Sequence, residues 1–356
     1  MITPSIRPRP RLPLSIGAGL IVIASATALA QRGGGQFAQP AAVREVAIAP
    51  IAGVIARDAA WTVAWQGTDN ADGLVATADG GVLFAQEQSS RVRKLERADA
   101  RPGRDDGQAD RVSVYAENTG GAGSLAIDSA GRLVAVQRTC TDPGLTAPCT
   151  EPTKIAVIHP EKDRRVLADA FQGKPLGRLN DLVVSRRGVV YFTVGGAYAV
   201  SPGGPVVSIG SDLRANGIML SPDEMTLYVT NGATVAAFAV QPDGSVRNQR
   251  EFAKLVAGGS GDGMAVDAAG RLYVTSQQAG VQVFAPDGRY LGVIPTPRNA
   301  ISVAFAGPDK KVLYIVGSGA LGADGKEAAT PPGVRNNAKT IYRIPTIAEG
   351  FKGRPK

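Results

Sequence analysis

The sequence predicts an all-β chain folded as a six-bladed β-propeller. Three observations carry that prediction: one strand-turn-strand unit recurs six times, helical periodicity is absent, and a spare apolar strand precedes the first unit. The copies begin at Asp72, Gly123, Asn180, Asn216, Asp262 and Ser302, between 36 and 57 residues apart. A period of that size marks propellers and solenoids and leaves room for a four-stranded blade with variable outer loops. Each copy is a short apolar strand, a turn rich in Asp, Gly or Pro, and a second strand with Leu, Tyr or Val, as in GSLAIDSAGRLVAV from Gly123. Such strands are rich in β-branched and aromatic residues, and such turns tolerate positive φ or tight reversal.

An apolar strand also precedes every copy: RVSVYAEN, RRVLADAF, GPVVSIG, REFAKLV and YLGVIP, with Trp61–Gly67 ahead of the first. No blade comes before that first strand. It is therefore expected to pair beside Lys339–Pro345 in the last blade and close the ring, which removes the exposed edges of an open array.

Residues 1–30 read as a cleavable export signal. Arg7, Arg9 and Arg11 form a basic start, Leu14 to Ala28 is apolar, and Ala28-Leu29-Ala30 offers a small-x-small cut before Gln31. The apolar run is shorter than the ~20 residues a spanning helix needs. The mature chain is thus expected in a periplasm or outside the cell, with no stable membrane insertion after cleavage. Cleavage removes three arginines and no acid, so the formal charge falls from +8 to +5. The basic residues are scattered, with no basic run interleaved with aromatics, which argues against a nucleic-acid partner.

Residues 31–57, rich in Gly, Ala and Pro, read as a flexible linker. Residues 58–347 make up the propeller and 348–356 a C-terminal tail. Cys140 and Cys149, the only cysteines, bracket a turn-rich stretch between the second and third inner strands. Outside the cytoplasm they are expected to form a disulfide that pins one long loop. Their spacing excludes a CxxC metal or redox site.

In a propeller the innermost strand of each blade lines the axial channel, so equivalent positions face one another. Those positions are the six starting residues, and four of them, Asp72, Asn180, Asn216 and Asp262, carry a carboxylate or carboxamide. Asp and Asn also cap junctions between loop and strand, and at any one position that is the simpler account. At four positions in one register, a cation between mutually repelling carboxylates explains more. An all-oxygen donor set suits Ca²⁺ best. Mg²⁺ and Mn²⁺ are possible substitutes, whereas Zn²⁺ usually calls on His or Cys.

Three segments carry a family resemblance: Arg178-Leu-Asn-Asp-Leu182, the stretch from Ala215 to Val229 (ANGIMLSPDEMTLYV) and the stretch from Gly261 to Val274 (GDGMAVDAAGRLYV). In that order they resemble the senescence marker protein (regucalcin), gluconolactonase and luciferin-regenerating-enzyme-like family, whose members are six-bladed propellers with a divalent metal in the channel. The resemblance runs from about Trp61 to Ile344. It implies that Asn216 and Asp262 are metal ligands, that Asn180 lies at metal and substrate, and that Arg178 contacts substrate. The family's remaining ligand is a Glu opening a Glu-Gly-Pro motif. Here Asp72-Gly-Leu aligns with it, one methylene shorter, and Ala76 stands where a Trp is usual.

The implied reaction is hydrolysis of a lactone, a small sugar-derived substrate. The ion polarises the ring carbonyl, Asp262 activates water as ligand and base, and Arg178 and Asn180 orient the substrate. His159 is the only histidine, and it follows the strand IAVI in a turn away from the inner-strand register. A histidine-dependent hydrolase is therefore disfavoured. The alternative reading is a non-catalytic, calcium-stabilised binding module. A quinone-dependent sugar dehydrogenase has no supporting cluster of basic and aromatic residues.

Overall fold

The computed structural model describes Met1 and residues 40–96, 110–138, 152–331 and 334–354. Six four-stranded antiparallel sheets form six blades, with one small two-stranded ribbon, Ala170–Phe171 with Lys174–Pro175, between the second and third. The innermost strands are Asp72–Ala76, Ala122–Ile127, Leu182–Val184, Ala215–Leu220, Met264–Val266 and Ala300–Ala306. Each touches the next, and the last touches the first, so the ring is closed. Thr62–Gly67 pairs antiparallel with Lys339–Pro345 in blade 6, from Thr62 opposite Arg343 to Gly67 opposite Lys339. Closure by the spare opening strand is therefore as the sequence predicts. Asp110, just ahead of the outer strand of blade 1, reinforces it by accepting from Arg343 of blade 6.

Local chemistry explains the repeat. In blade 2 Asp128 Oδ1 accepts from the Ala130 and Arg132 amides at 2.9 Å each, while its Oδ2 pairs with the Arg132 side chain. Blade 5 repeats this turn with Asp267, Ala269 and Arg271. The reversal needs φ of +78° at Gly131 and +77° at Gly270, a conformation open to glycine at little cost. Between turns the apolar side chains fill the space between neighbouring blades. Leu74 and Phe84 of blade 1 pack on Ala304, Tyr314 and Ile341 of blade 6, and the same arrangement recurs around the ring.

One expectation about the flanks is overturned. Of the segment 31–57, residues 40–57 are an ordered strap and not a flexible linker. Ile48, Ile51, Val54 and Ile55 fill the wedge between blades 5 and 6, against Tyr273, Val283, Leu313 and Ile344. The Arg44 amide donates to Pro297 O at 2.9 Å, and the Ile347 amide donates to Val54 O at 2.9 Å. Apolar residues interspersed among Ala, Gly and Pro bury enough surface here to outweigh a composition that suggests a tether.

Residues 348–354 of the C-terminal tail pack against the blades. Gly350 bridges Asp267, and the buried Arg354 donates to Leu220 O at 2.6 Å and pairs with Glu224 at 3.0 Å. They cross the turn end of blades 6, 5 and 4. The signal segment and the Cys140–Cys149 pair lie outside the described residues.

Truncating Ile55 in the strap is expected to lower unfolding stability by about 2–5 kcal/mol, the usual cost of a buried Ile→Ala change. Urea titration of Ile55→Ala checks this, and an unchanged midpoint would restore the linker.

Candidate functional site

The heads of the inner strands are irregular, and that irregularity turns their side chains to the axis. Pairing is interrupted by bulges between Asp72 and Val75, Ala122 and Leu125, Ala215 and Ile218, and Ala300 and Ser302. Asn180 and Asp262 sit just ahead of their strands, donating backbone N–H to Thr193 O at 2.8 Å and Thr275 O at 2.9 Å. Bulges commonly re-aim a side chain beside a functional site. Close approach of the strand heads requires glycine at two points. A Cβ on Gly217 would stand 1.9 Å from Asp262 O, and one on Gly73 would stand 2.6 Å from Ser124 Cα.

The structure brings Asp72, Asn180 and Asp262 to one small axial cavity of ≈ 20 Å³, which Asp181 and Ser302 also line. That is room for about one water or one ion. Asn216 adjoins it through Gly217, which abuts the Asp262 carbonyl. Asn216 Oδ1 is buried and accepts no hydrogen bond among the described residues. Such an orphaned oxygen is costly unless something occupies its lone pairs.

The two neighbouring aspartates differ in their duties. Asp181 accepts from Ser124 Oγ at 2.5 Å in blade 2, from its own neighbour Leu182 N at 2.8 Å, and from Ile218 N at 3.0 Å in blade 4. It therefore staples three blades together. Asp262 forms no ion pair among the described residues. Burial pushes its carboxyl well above the usual carboxylate range, the charges of Asp72 and Asp181 add to this, and Arg138 offsets it in part.

Four carboxylates, Asp72, Glu87, Asp181 and Asp262, thus share the mouth with two guanidiniums, Arg138 and Arg178. The excess is two formal negative charges, which one divalent cation would balance. Among the described residues no three His, Cys, Asp or Glu side chains converge to hold an ion by themselves, so a cation here would depend on amide oxygens. With an orphaned amide oxygen, a carboxylate that forms no ion pair among the described residues and a cavity of the right size, the donors fit a hard divalent ion.

Arg138 and Glu87 are the residues that counting along the inner strands misses. Both follow the second strand of their blade, Glu87 at the same offset from Asp72 as Arg138 from Gly123, so the register count extended one strand outward finds them. Arg138 pairs with Asp72 at 3.1 Å, so the Asp72 carboxylate already has a cationic partner. Arg178 is held bidentately by the buried Glu87, at 2.8 and 3.0 Å, and keeps about a third of its side chain exposed (34%). His159 ends the third strand of blade 2, its ring tilted against that of Tyr115 and away from the axis. A larger cavity of ≈ 320 Å³ lies between blades 3 and 4 at the opposite, turn end. Its charges are largely satisfied, with Arg186 beside Glu224, and its Tyr191 hydroxyl donates to Gly244 O.

The raised Asp262 pKa predicts a stability effect. A carboxyl with a raised folded pKa binds its proton more tightly when folded, so its contribution falls as pH rises from about 3.9, the unfolded value, toward the folded one. In chelator-stripped protein at neutral pH, Asp262→Asn is expected to raise the melting temperature, by about 2–4 °C for each kcal/mol recovered. Calorimetry should show the gain vanish below pH ~3, where both states are protonated.

The geometry agrees with similarity to known proteins. A gluconolactonase of Zymomonas mobilis is 31% identical over 188 residues, 44% of this chain and 52% of that protein. A pentonolactonase of Haloferax volcanii is 28% identical over 187 residues, 49% of this chain and 64% of that protein. The chain thus spans between half and two thirds of the length of these relatives. Among solved structures, a gluconolactonase of Xanthomonas campestris superposes with a TM-score of 0.61 and 25% identity, covering 87% of this chain and 96% of that one. Residues 105–319, more than half of the chain, match the model of the SMP-30/gluconolactonase/LRE-like region, and with the closed propeller and its axial oxygen cluster this chain belongs to that family.

Proposed function

We propose that the protein is an exported, divalent-metal-dependent lactone hydrolase acting on a small sugar-derived lactone. The observation that carries this reading is Asp262, a cavity-lining carboxylate that forms no ion pair among the described residues, in a chain whose relatives are named gluconolactonase and pentonolactonase. Asp181, by contrast, is consumed in stapling blades, and Asp72 is paired with Arg138.

Asp262 and Asn216 would hold the ion, with Asn180 beside them and Ca²⁺ the best match to oxygen donors. When bound, a divalent cation supplies Lewis-acid polarisation of the lactone carbonyl and lowers the Asp262 pKa toward the ionised form. Asp262 takes the proton of the attacking water as the new carbon–oxygen bond forms. It returns that proton to the ring oxygen as the ester bond breaks, leaving the hydroxy acid. Arg178, braced by Glu87, meets the substrate's hydroxyls, and the Asn180 amide orients the carbonyl or the water.

The competing reading, a calcium-braced binding module without catalysis, draws on the Arg138–Asp72 pair, which engages one of the family's ligand positions. An indicator assay over aldonolactones with added Ca²⁺, Mn²⁺, Mg²⁺ or Zn²⁺ separates the two. Turnover that Asp262→Asn lowers by about 10²–10⁴-fold, the usual range for a general base, supports the hydrolase. Absence of turnover, or turnover indifferent to that change, sinks it.

Export and the disulfide have their own test. Expressed with residues 1–30 in a Gram-negative host, the periplasmic chain is expected to begin at Gln31, with Cys140 and Cys149 alkylated only after reduction. Protein retained in the cytoplasm with both thiols free would count against both.

A further inference from the structure

The axial ring already contains a cation of the protein's own. Arg138 leaves the end of the second strand of blade 2 and lies across Gly123, the ring position without a side chain. A Cβ there would stand 2.2 Å from Arg138 Cζ, so the glycine makes room for the guanidinium. All three of its nitrogens are engaged. Nε donates to Leu179 O at 2.8 Å; Nη1 donates to Asp72 Oδ2 at 3.1 Å and lies 3.5 Å from Glu87 Oε2. Nη2 donates to the Asn180 carbonyl and reaches Asn180 Oδ1 at 3.4 Å. Glu87, itself buried, also grips Arg178 and so fixes Arg138 from behind.

These contacts use the ring oxygens contributed by blades 1 and 3. Blades 4 and 5 contribute Asn216 Oδ1, which accepts no hydrogen bond among the described residues, and Asp262, which has no ion pair among them. No three acidic side chains among the described residues converge as a metal cluster.

We propose that Arg138 divides the ring: it is the resident counter-cation of Asp72 and Asn180, while Asp262 and Asn216 hold the divalent ion and Asp72 stays outside its ligand set. This rests on the reading of the site as a divalent-cation centre. Arg138 is a positioning residue, because its donors are directed at the protein and not into the cavity. A fixed positive charge beside the ion also repels it, so the site binds more weakly than one with the guanidinium removed.

Isothermal titration of the chelator-stripped full chain with CaCl₂ and with MnCl₂ tests the division, with circular dichroism melts confirming that each variant is folded. Asp262→Asn and Asn216→Ala are expected to weaken binding by at least about 10–100-fold, the loss that follows removal of even an outer-shell partner of a metal ligand. Asp72→Asn, which removes a neighbouring charge but no ligand, should weaken it less than either, and Arg138→Met should tighten it, since removal of a neighbouring positive charge favours the ion. Equal weakening by Asp72→Asn and Asp262→Asn overturns the division while leaving the metal reading intact. A wild-type chain that takes up neither ion overturns both. The Asp72→Asn result decides the question even if Arg138→Met does not fold.

Discussion

The pairing of Thr62–Gly67 with Lys339–Pro345 is the contact on which the rest of the molecule depends, because it joins the two ends of the chain's described body into a ring. Without closure, the inner strands of blades 1 and 6 would not touch, and Ser302 Oγ could not accept from the Leu74 amide across that seam at 3.2 Å. The axial residues come from strands far apart in sequence, so a ring is the only means of holding them within reach of one another. The strap of residues 40–57 adds to the same closure. It fills the wedge between blades 5 and 6 and hydrogen-bonds to Ile347 and Ala348 at the C-terminal end.

Convergence at an axis concentrates charge. Asp72, Glu87, Asp181 and Asp262 meet in a place with little water, where carboxylates destabilise one another unless cations or hydrogen bonds compensate. The protein meets this in three ways. Asp181 is neutralised in effect by donors from three blades, Asp72 and Glu87 by arginines, and Asp262 by burial that favours its protonated form. The third solution is the least stable one, and it is the one that leaves a group available for chemistry. Function is found where local compensation is incomplete.

The glycines at the strand heads serve the same end. Gly217 and Gly73 allow neighbouring strand heads to approach more closely than any side chain would permit, and Gly123 yields its place to the Arg138 guanidinium. A ring position that looks blank in the sequence is therefore occupied in space, by a residue from farther along the same blade.

The fold was legible because its causes are local and repeated. Strand-turn-strand units with an Asp-x-x-Gly-Arg turn, or a variant of it, announce themselves in the order of residues, and so does the opening strand left without a partner. The register also singled out Asp72, Asn180 and Asp262, which the structure brings to one cavity, since equivalent positions on inner strands must face one axis. What the sequence could not disclose was which of these oxygens is already engaged. Arg138 approaches them from the second strand of blade 2, and the strap and the C-terminal residues find their grooves only once the blades stand side by side. Those contacts join residues with no periodic relation to one another. Short-range pattern therefore determined the ring and its register, and only the closed tertiary structure decided how charge is shared across it, because that sharing depends on distances through space.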